Sequence, residues 1–505
     1  MRITNTMITN NTKANINSNK LLVDKYNTQM TTQKKIAKAS ENPVIAIRSL
    51  RLSTTLSHIN QYVNNNIPDA SAWMDVTETA LTNMKDLLTD VRTQCVNGST
   101  DTKNVEDRQT ILESLKSLSE QVYAEGNADY AGKTVFTGYR TSSNLTFEEE
   151  ELETEYQIKQ SFDFSNLEEK RYYTGNVVVP EALTDNVYEC ETKIAEHSYE
   201  RLRLAYNGKT EIVNFSYTIN GVETTPTLST HESEQAWEDA TADFTAIPPQ
   251  NGTKTIGDNE IVYIKETGEF IFGKEIANQL SDGKATFDVE YKKKGFDKGE
   301  LRPEYYYDCK DITDDDPSKH VEYTKQNQEI HYTIANNTTI TINTQADEVF
   351  DSNIKRDVDE LINVVQKALD ASEKVLKIKN MMGEAQYQDN DSQQMLQTYL
   401  DAAQKEADYA DDNLQKTYEQ YIGRFDKYLE STNIAITNAG SLKNSLNLTM
   451  TRVENQQMTI EELKSDNEDR DISDIIIDYY ASYNAYQSSL TAAGKLGQSS
   501  LLDYI

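Results

Sequence analysis

The sequence predicts an α+β protein: a long coiled-coil-like helical rod formed by N- and C-terminal arms, with a β-rich domain inserted in the middle. Three observations carry that reading. Apolar residues step by three and four over long stretches at both ends, the spacing of a helix packed along one seam. Between about residues 146 and 345 the period drops to two, with turn dipeptides at the breaks. Only 8 Pro and 19 Gly in 505 residues leave room for long uninterrupted helices. Seams on both sides of the β-rich stretch need partners, so the two helical halves are expected to meet in space. The expected divisions are an N-terminal helical assembly arm (1–42), a first rod segment (43–145), a β-rich variable outer domain (146–345), a second rod segment (346–464) and a C-terminal helical assembly arm (465–505).

In the first arm, Ile16, Val23, Met30 and Ala37 are seven apart, with Asn19, Tyr26 and Gln33 between them. The seam is weak, because Asn19 and Gln33 stand where apolar residues are wanted. Such a helix is expected to order only on meeting a partner. Ser40-Glu41-Asn42-Pro43 breaks the pattern. Pro43 suits the first helical position and Asn42 suits the N-cap. The next seam runs Leu52, Leu56, Ile59 and Val63, then Ala70, Trp73, Thr77, Ala80, Met84, Leu87 and Val91. Pro68 lies in the gap and predicts a kink or local break. Asn97-Gly98 ends this helix, and Ile111, Leu115, Leu118 and Val122 define another, antiparallel to it, that stops at Gly126-Asn127.

Strand signals follow. Phe215, Tyr217 and Ile219 alternate into Asn220-Gly221, a hairpin turn whose residues both tolerate positive φ. Val262 and Ile264 lead through Thr267-Gly268 to Phe270 and Phe272. Phe287, Val289 and Tyr291 alternate, as do Ile330, Tyr332 and Ile334 before Asn336-Asn337 and Ile340, Ile342. The acidic runs Glu148–Glu151 and Asp314–Asp316 read as solvated loops.

Helical spacing returns with Leu361, Val365, Ala368, Ser372, Val375, Lys379 and Met382. An extra helical stretch spans about Met395–Leu429, and a further seam runs Ala439, Leu442, Leu446, Thr449, Val453, Gln456, Ile460, Leu463. Ser465–Arg470 is a charged punctuation before the last helix. There Ile472, Ile476, Tyr479, Tyr483, Tyr486, Leu490 and Ala493 step strictly by four and three. A lone helix gains little from such a stripe, so it requires a partner. The N-terminal heptads around Val23, Tyr26 and Met30 are one candidate and neighbouring subunits are others.

The formal net charge of -33 opposes sequence-independent nucleic-acid binding and attraction to anionic membranes. Cys95, Cys190 and Cys309 are widely spaced and odd in number, which predicts free thiols rather than a disulfide framework or a metal site. No apolar run is long enough for a membrane span, and no cleavable secretory signal is recognisable at the start. The five histidines form no ligand pair, and no nucleophile-elbow, P-loop or dinucleotide-binding motif occurs. Asp311–Asp316 lacks the Gly and terminal Glu of a calcium loop. No cofactor, metal or catalytic activity is expected.

Four stretches resemble the flagellin-like family of bacterial flagellar hook-associated proteins. They are Met1-Arg2-Ile3-Thr4; Ser40-Glu41-Asn42-Pro43-Val44 with Arg48-Ser49-Leu50-Arg51-Leu52; Tyr130-Ala131-Gly132-Lys133 with Val135-Phe136-Thr137-Gly138; and Ala485–Leu490 with Ser499-Ser500-Leu501-Leu502-Asp503-Tyr504-Ile505. The Leu-Leu-Asp-Tyr-Ile ending differs from that of true flagellin. Pro68 and the extra stretch near 394–429 depart from the family pattern. The resemblance implies a structural adaptor that joins hook to filament, works outside the cell on the flagellum, and is exported unfolded by the flagellar type III route. It implies self-association in a ring or tube and contacts with a neighbouring hook-associated protein, flagellin and an export chaperone. The expected assembly residues are Val23, Tyr26, Met30, Ile472, Ile476, Tyr479, Tyr483, Tyr486, Leu490, Leu501 and Leu502. Alternatives are a divergent flagellin that builds filament, or a surface-exposed binding module presented by the β-rich domain.

Overall fold

The computed structural model describes residues 5–100, 105–174, 177–181, 183, 195–240, 254 and 256–498. In chain order the helices are α1 (Asn5–Thr32), α2 (Pro43–Gln61), α3 (Ile67–Gly98), α4 (Val105–Ser119), α5 (Glu234–Asp239), α6 (Lys274–Asp282), α7 (Asn353–Gly383), α8 (Asn390–Glu468) and α9 (Ile472–Gln498). The strands are β1 (Asp129–Tyr130), β2 (Lys133–Thr134), β3 (Glu151–Asp163), β4 (Glu168–Thr174), β5 (Ala195–Arg203), β6 (Lys209–Ile219), β7 (Val222–Thr224) and β8 (Leu228–His231). They continue with β9 (Ile261–Ile264), β10 (Glu269–Phe272), β11 (Thr286–Phe296), β12 (Asp308–Asp311), β13 (Val321–Tyr323), β14 (His331–Ala335) and β15 (Thr338–Thr341). Long helices therefore occupy both ends and β-sheet the middle, the α+β class that the periodicities imply. The chain forms two compact units: residues 1–71, 331–340 and 443–505, and residues 72–330 and 341–442.

The first unit holds α1, α2, the end of α8 and α9. Asn42 caps α2, its side chain accepting from the backbone N–H of Val44 (3.1 Å) and Ile45 (3.3 Å), and Pro43 opens the helix as expected. The local break expected from Pro68 is present between α2 and α3. The strain is absorbed upstream in a π-turn at Tyr62–Asn66, where the Ile67 N–H reaches the Tyr62 carbonyl five residues back. Asn66, half-buried here, donates to the Thr333 carbonyl at 2.7 Å. The hairpin β14–β15 thus packs in this unit, with Ala335 against Ile59, Val63 and Val453.

The second unit combines two sheets with a helical layer. The six-stranded sheet runs β13-β12-β3-β11-β6-β7 and the five-stranded sheet β4-β5-β10-β9-β8; the strands pair antiparallel except β8 with β9, which are parallel. The β6–β7 turn is the two-residue hairpin expected, Asn220 at φ 52° and Gly221 at φ 80°. One face of each sheet meets in an aromatic core: Phe215 stacks on Phe270 at 4.4 Å, and Phe287, Tyr291, Tyr263 and Phe272 surround them. The alternation Val262/Ile264 against Ile261/Tyr263 marks β9 as buried on both faces, the second face meeting Trp237 of α5 and Tyr199.

That second face of the five-stranded sheet also carries charge, on β4, β5 and β10, and α7 and α8 supply the complement. Asp357 of α7, fully buried, accepts from Arg203 Nη2 (2.5 Å), Arg424 Nη1 (2.8 Å) and the Tyr428 hydroxyl (2.8 Å). Arg201 donates to Glu269 (2.8 Å) and Glu360 (2.6 Å), and Glu168 accepts from Arg203 (3.0 Å) and pairs with Arg424 (2.8 Å). Burial pushes the Glu168 carboxyl up, but Arg203, Arg201 and Arg424 outweigh it and hold it down at about 2. Buried charges survive only when paired this closely.

Several seams shift by a residue. Leu88 rather than Leu87 is buried on α3, and Ile378 and Met381 replace Lys379 and Met382 on α7. A straight helix drifts against a strict seven-residue repeat, which moves the buried position over several turns. The extra stretch near 394–429 and the seam from Ala439 are one continuous helix, the 79-residue α8. Gly98 lies against Tyr418 of α8, too close to admit a Cβ. The connection between α3 and α4 at 101–104 lies outside the described residues, as does Cys190. Cys95 and Cys309 are free and buried, and burial pushes the Cys95 thiol up to about 12.

Candidate assembly interface

Each terminal arm finds a partner in the other, because α1 packs along α9. On α1 the half-buried residues Ile16, Asn19, Val23, Tyr26 and Met30 share one face, with Gln29 buried beside them. The predicted Val23, Tyr26 and Met30 therefore lie at this pairing. Asn19 is a working contact rather than a flaw: its amide donates to Ser489 Oγ at 2.6 Å and to the Ala485 carbonyl at 3.4 Å. Ala37 falls beyond the helix, which ends where Gln33 turns to φ 55°.

On α9 the face toward α1 is offset from the apolar stripe. Ile475 and Ser482 are buried, and Tyr479, Tyr486, Ser489 and Ala493 are half-buried. The remaining stripe residues face open space, Ile472 (45% exposed), Ile476 (38%), Tyr483 (38%) and Leu490 (44%), and Tyr480 adjoins the same exposed surface. At 100° per residue Ile472, Ile476, Tyr483 and Leu490 fall within about 40° of one line, beside the buried line of Ile475, Ser482 and Ser489. The helix thus has a paired face and, beside it, an open apolar one. Tyr479 lies between them, stacked on Tyr483 with ring centres 6.0 Å apart. Counting apolar residues found the open face and half of the paired one. It missed Ser482 and Ser489, since small polar residues that permit close approach carry no hydrophobic signal, and Ile475, which lies off the four-and-three stepping. Leu501 and Leu502 lie outside the described residues.

The sequence also gave no sign of the contacts at the base of the arms. There Gln33–Lys35 runs antiparallel beside Glu468–Arg470, the Lys35 N–H bonding the Glu468 carbonyl (2.6 Å) and the Arg470 N–H the Gln33 carbonyl (2.9 Å). Lys34 pairs with Glu468 (3.0 Å) and Asp469 (2.6 Å), which raise its pKa against the opposing effect of burial.

Among the described residues no cluster of three or more His, Cys, Asp or Glu is placed to hold a metal, and no helix is long and apolar enough to cross a membrane. The surface that these residues build is suited to packing helices, and it presents no constellation for bond chemistry.

Residues 3–141 match the model of the bacterial flagellin N-terminal helical region. Over this span the chain is flagellin-like. The chain is also similar to a solved structure described as a putative flagellar hook-associated protein from Vibrio parahaemolyticus, at 12% identity over 85% of this chain and 100% of that one, with a TM-score of 0.36. It is similar to flagellar hook associated protein-3 from Legionella pneumophila (10% identity, 82% of this chain and 96% of that one, TM-score 0.29). A third similar structure is the flagellar junction protein FlgL from Legionella pneumophila (10% identity, 79% and 99%, TM-score 0.28). No curated protein matches the sequence.

Proposed function

We propose that this chain is a structural adaptor of the bacterial flagellum, seated between hook and filament and assembled through α1 and α9. The observation that carries the reading is the open apolar face of α9, left exposed after α1 has taken the adjoining face. Five large side chains on or beside it, Ile472, Ile476, Tyr480, Tyr483 and Leu490, are 38–60% exposed. Covering what remains of each contributes about 1 kcal/mol, or about 5 kcal/mol per face. Association costs about 4–15 kcal/mol in lost freedom, so one such contact between two copies is marginal and a closed ring or tube of repeated contacts is not. The flagellin-like match over residues 3–141 supports the flagellar setting. The ending Leu501-Leu502-Asp503-Tyr504, which resembles hook-associated proteins rather than flagellin, supports the junction.

On this reading the partners are further copies of the chain, a neighbouring hook-associated protein and flagellin, with an export chaperone where the arms are carried unfolded. The protein reaches the cell exterior through the flagellar type III route. Purified protein mixed with filament seeds and free flagellin separates the junction role from that of a divergent flagellin. A junction protein binds seed ends and stops, whereas indefinite extension by this chain alone rejects the proposal.

A further inference from the structure

The charged segment Ser465–Arg470 reads in the sequence as mere punctuation before the last helix. In the structure it is bonded to α1, α2 and α9 within the first unit. Gln33–Lys35, which ends α1, and Glu468–Arg470, which joins α8 to α9, cross here with paired backbones (2.6 and 2.9 Å). Lys34 bridges Glu468 and Asp469. Glu468 also accepts from Ser49 of α2, and Asn467 donates to the Ile45 carbonyl at 3.1 Å, which ties the crossing to α2.

Gln29 is the centre of it. Only 3% exposed, it uses both ends of its amide on different segments: Nε2 donates to the Lys35 carbonyl at 2.6 Å, and Oε1 accepts from Arg470 Nη1 at 3.0 Å. The Arg470 guanidinium also lies 5.5 Å over the Tyr26 ring and pairs with Asp478 of α9. Sliding α1 along α9 by one turn takes Gln29 away from Arg470 and leaves its Oε1 buried without that donor, a desolvation cost. A single buried polar residue fixes the register of coiled coils in the same way.

We propose that this crossing is a clasp that makes the two arms one cooperative element. The helices seat together in the register set by Gln29 and part together when the crossing opens. Its Lys34 pairs are partly exposed, at 43% for Lys34 against 14% for Glu468 and 40% for Asp469, so parting depends on ionic strength. The inference concerns the free chain and stands apart from any assembly partner.

Hydrogen exchange by mass spectrometry on the full-length protein tests it. The clasp predicts matched opening of α1 and α9, both faster in 0.5 M than in 0.05 M salt. Lys34→Glu is expected to accelerate both helices by about tenfold, and adding Asp469→Lys to restore them. Amides of β3 and β11 report whether each variant remains folded, and Gln29→Leu replaces a charge variant that does not. Acceleration confined to α1, failure of the charge swap to restore protection, or indifference to salt overturns the proposal.

Discussion

Replacing Asp357 with alanine tests whether the sheet is held to the helices by charge. Asp357 is fully buried and is the common acceptor of Arg203, Arg424 and the Tyr428 hydroxyl. Without it, Arg203, whose side chain is 3% exposed, keeps only Glu168 and the more distant Glu360, and Tyr428 loses its partner. Breaking a buried pair from one side costs about 3–5 kcal/mol, because the other charge stays desolvated. Asp426→Ala is the matched control, since its partner Arg92 is 36% exposed and Asp426 itself 52%. There the loss is below about 1 kcal/mol. Urea unfolding followed by the fluorescence of Trp73 and Trp237, both in the second unit, reads the two variants on one scale. The reasoning is refuted if Asp357→Ala and Asp426→Ala shift the unfolding free energy equally.

The same network gives the second unit a defined acid sensitivity. The folded pKa of Glu168 is held at about 2, below its ordinary value near 4.5, so its contribution is complete above that value and is lost as pH falls from about 4.5 towards 2. At 1.36 kcal/mol per unit this amounts to about 3 kcal/mol, and Glu168→Gln is expected to flatten the pH dependence of unfolding in that window. Gly98→Ala places a methyl against the Tyr418 ring and is expected to cost about 1–3 kcal/mol by overpacking, measured by the same urea titration. Asn19→Ala removes the donor to Ser489 and Ala485. It is expected to weaken the α1–α9 pairing by about 1 kcal/mol, seen as faster amide exchange in both helices.

What the sequence disclosed was whatever local chemistry specifies. Asn42-Pro43 announces the start of α2 and Asn220-Gly221 a hairpin turn, because each depends on a few adjacent residues. The alternation of Phe287, Val289 and Tyr291 gives β11 its buried face, and the three-four spacing finds the terminal helices. Pairings decided by distant residues were hidden. Arg201, Arg203, Asp357 and Glu360 look like ordinary solvent-facing charges until β5 and α7 bring them together. Within the candidate site, the apolar stripe of α9 was legible and its division into two faces was not. Ser489 becomes a contact residue only because Asn19 stands opposite, and Lys34 and Arg470 join a clasp only where two chain segments cross. Pro68 was visible as a disturbance, but its resolution as a π-turn at Tyr62–Asn66 depends on how the adjoining hairpin receives Asn66.

The most direct measurement on the proposed role uses the open face alone. Ile476, Tyr483 and Leu490 are exposed beside the α1 pairing, so their joint replacement by aspartate leaves that pairing, and the protected amides of Ile475 and Ser482, in place. The variant is then expressed in cells lacking the native chain, and isolated hooks are examined for bound protein and attached filaments. The account predicts a folded, exported protein that is absent from hook ends, with no filaments attached. Filaments joined to hooks by the triple variant at the wild-type level contradict it.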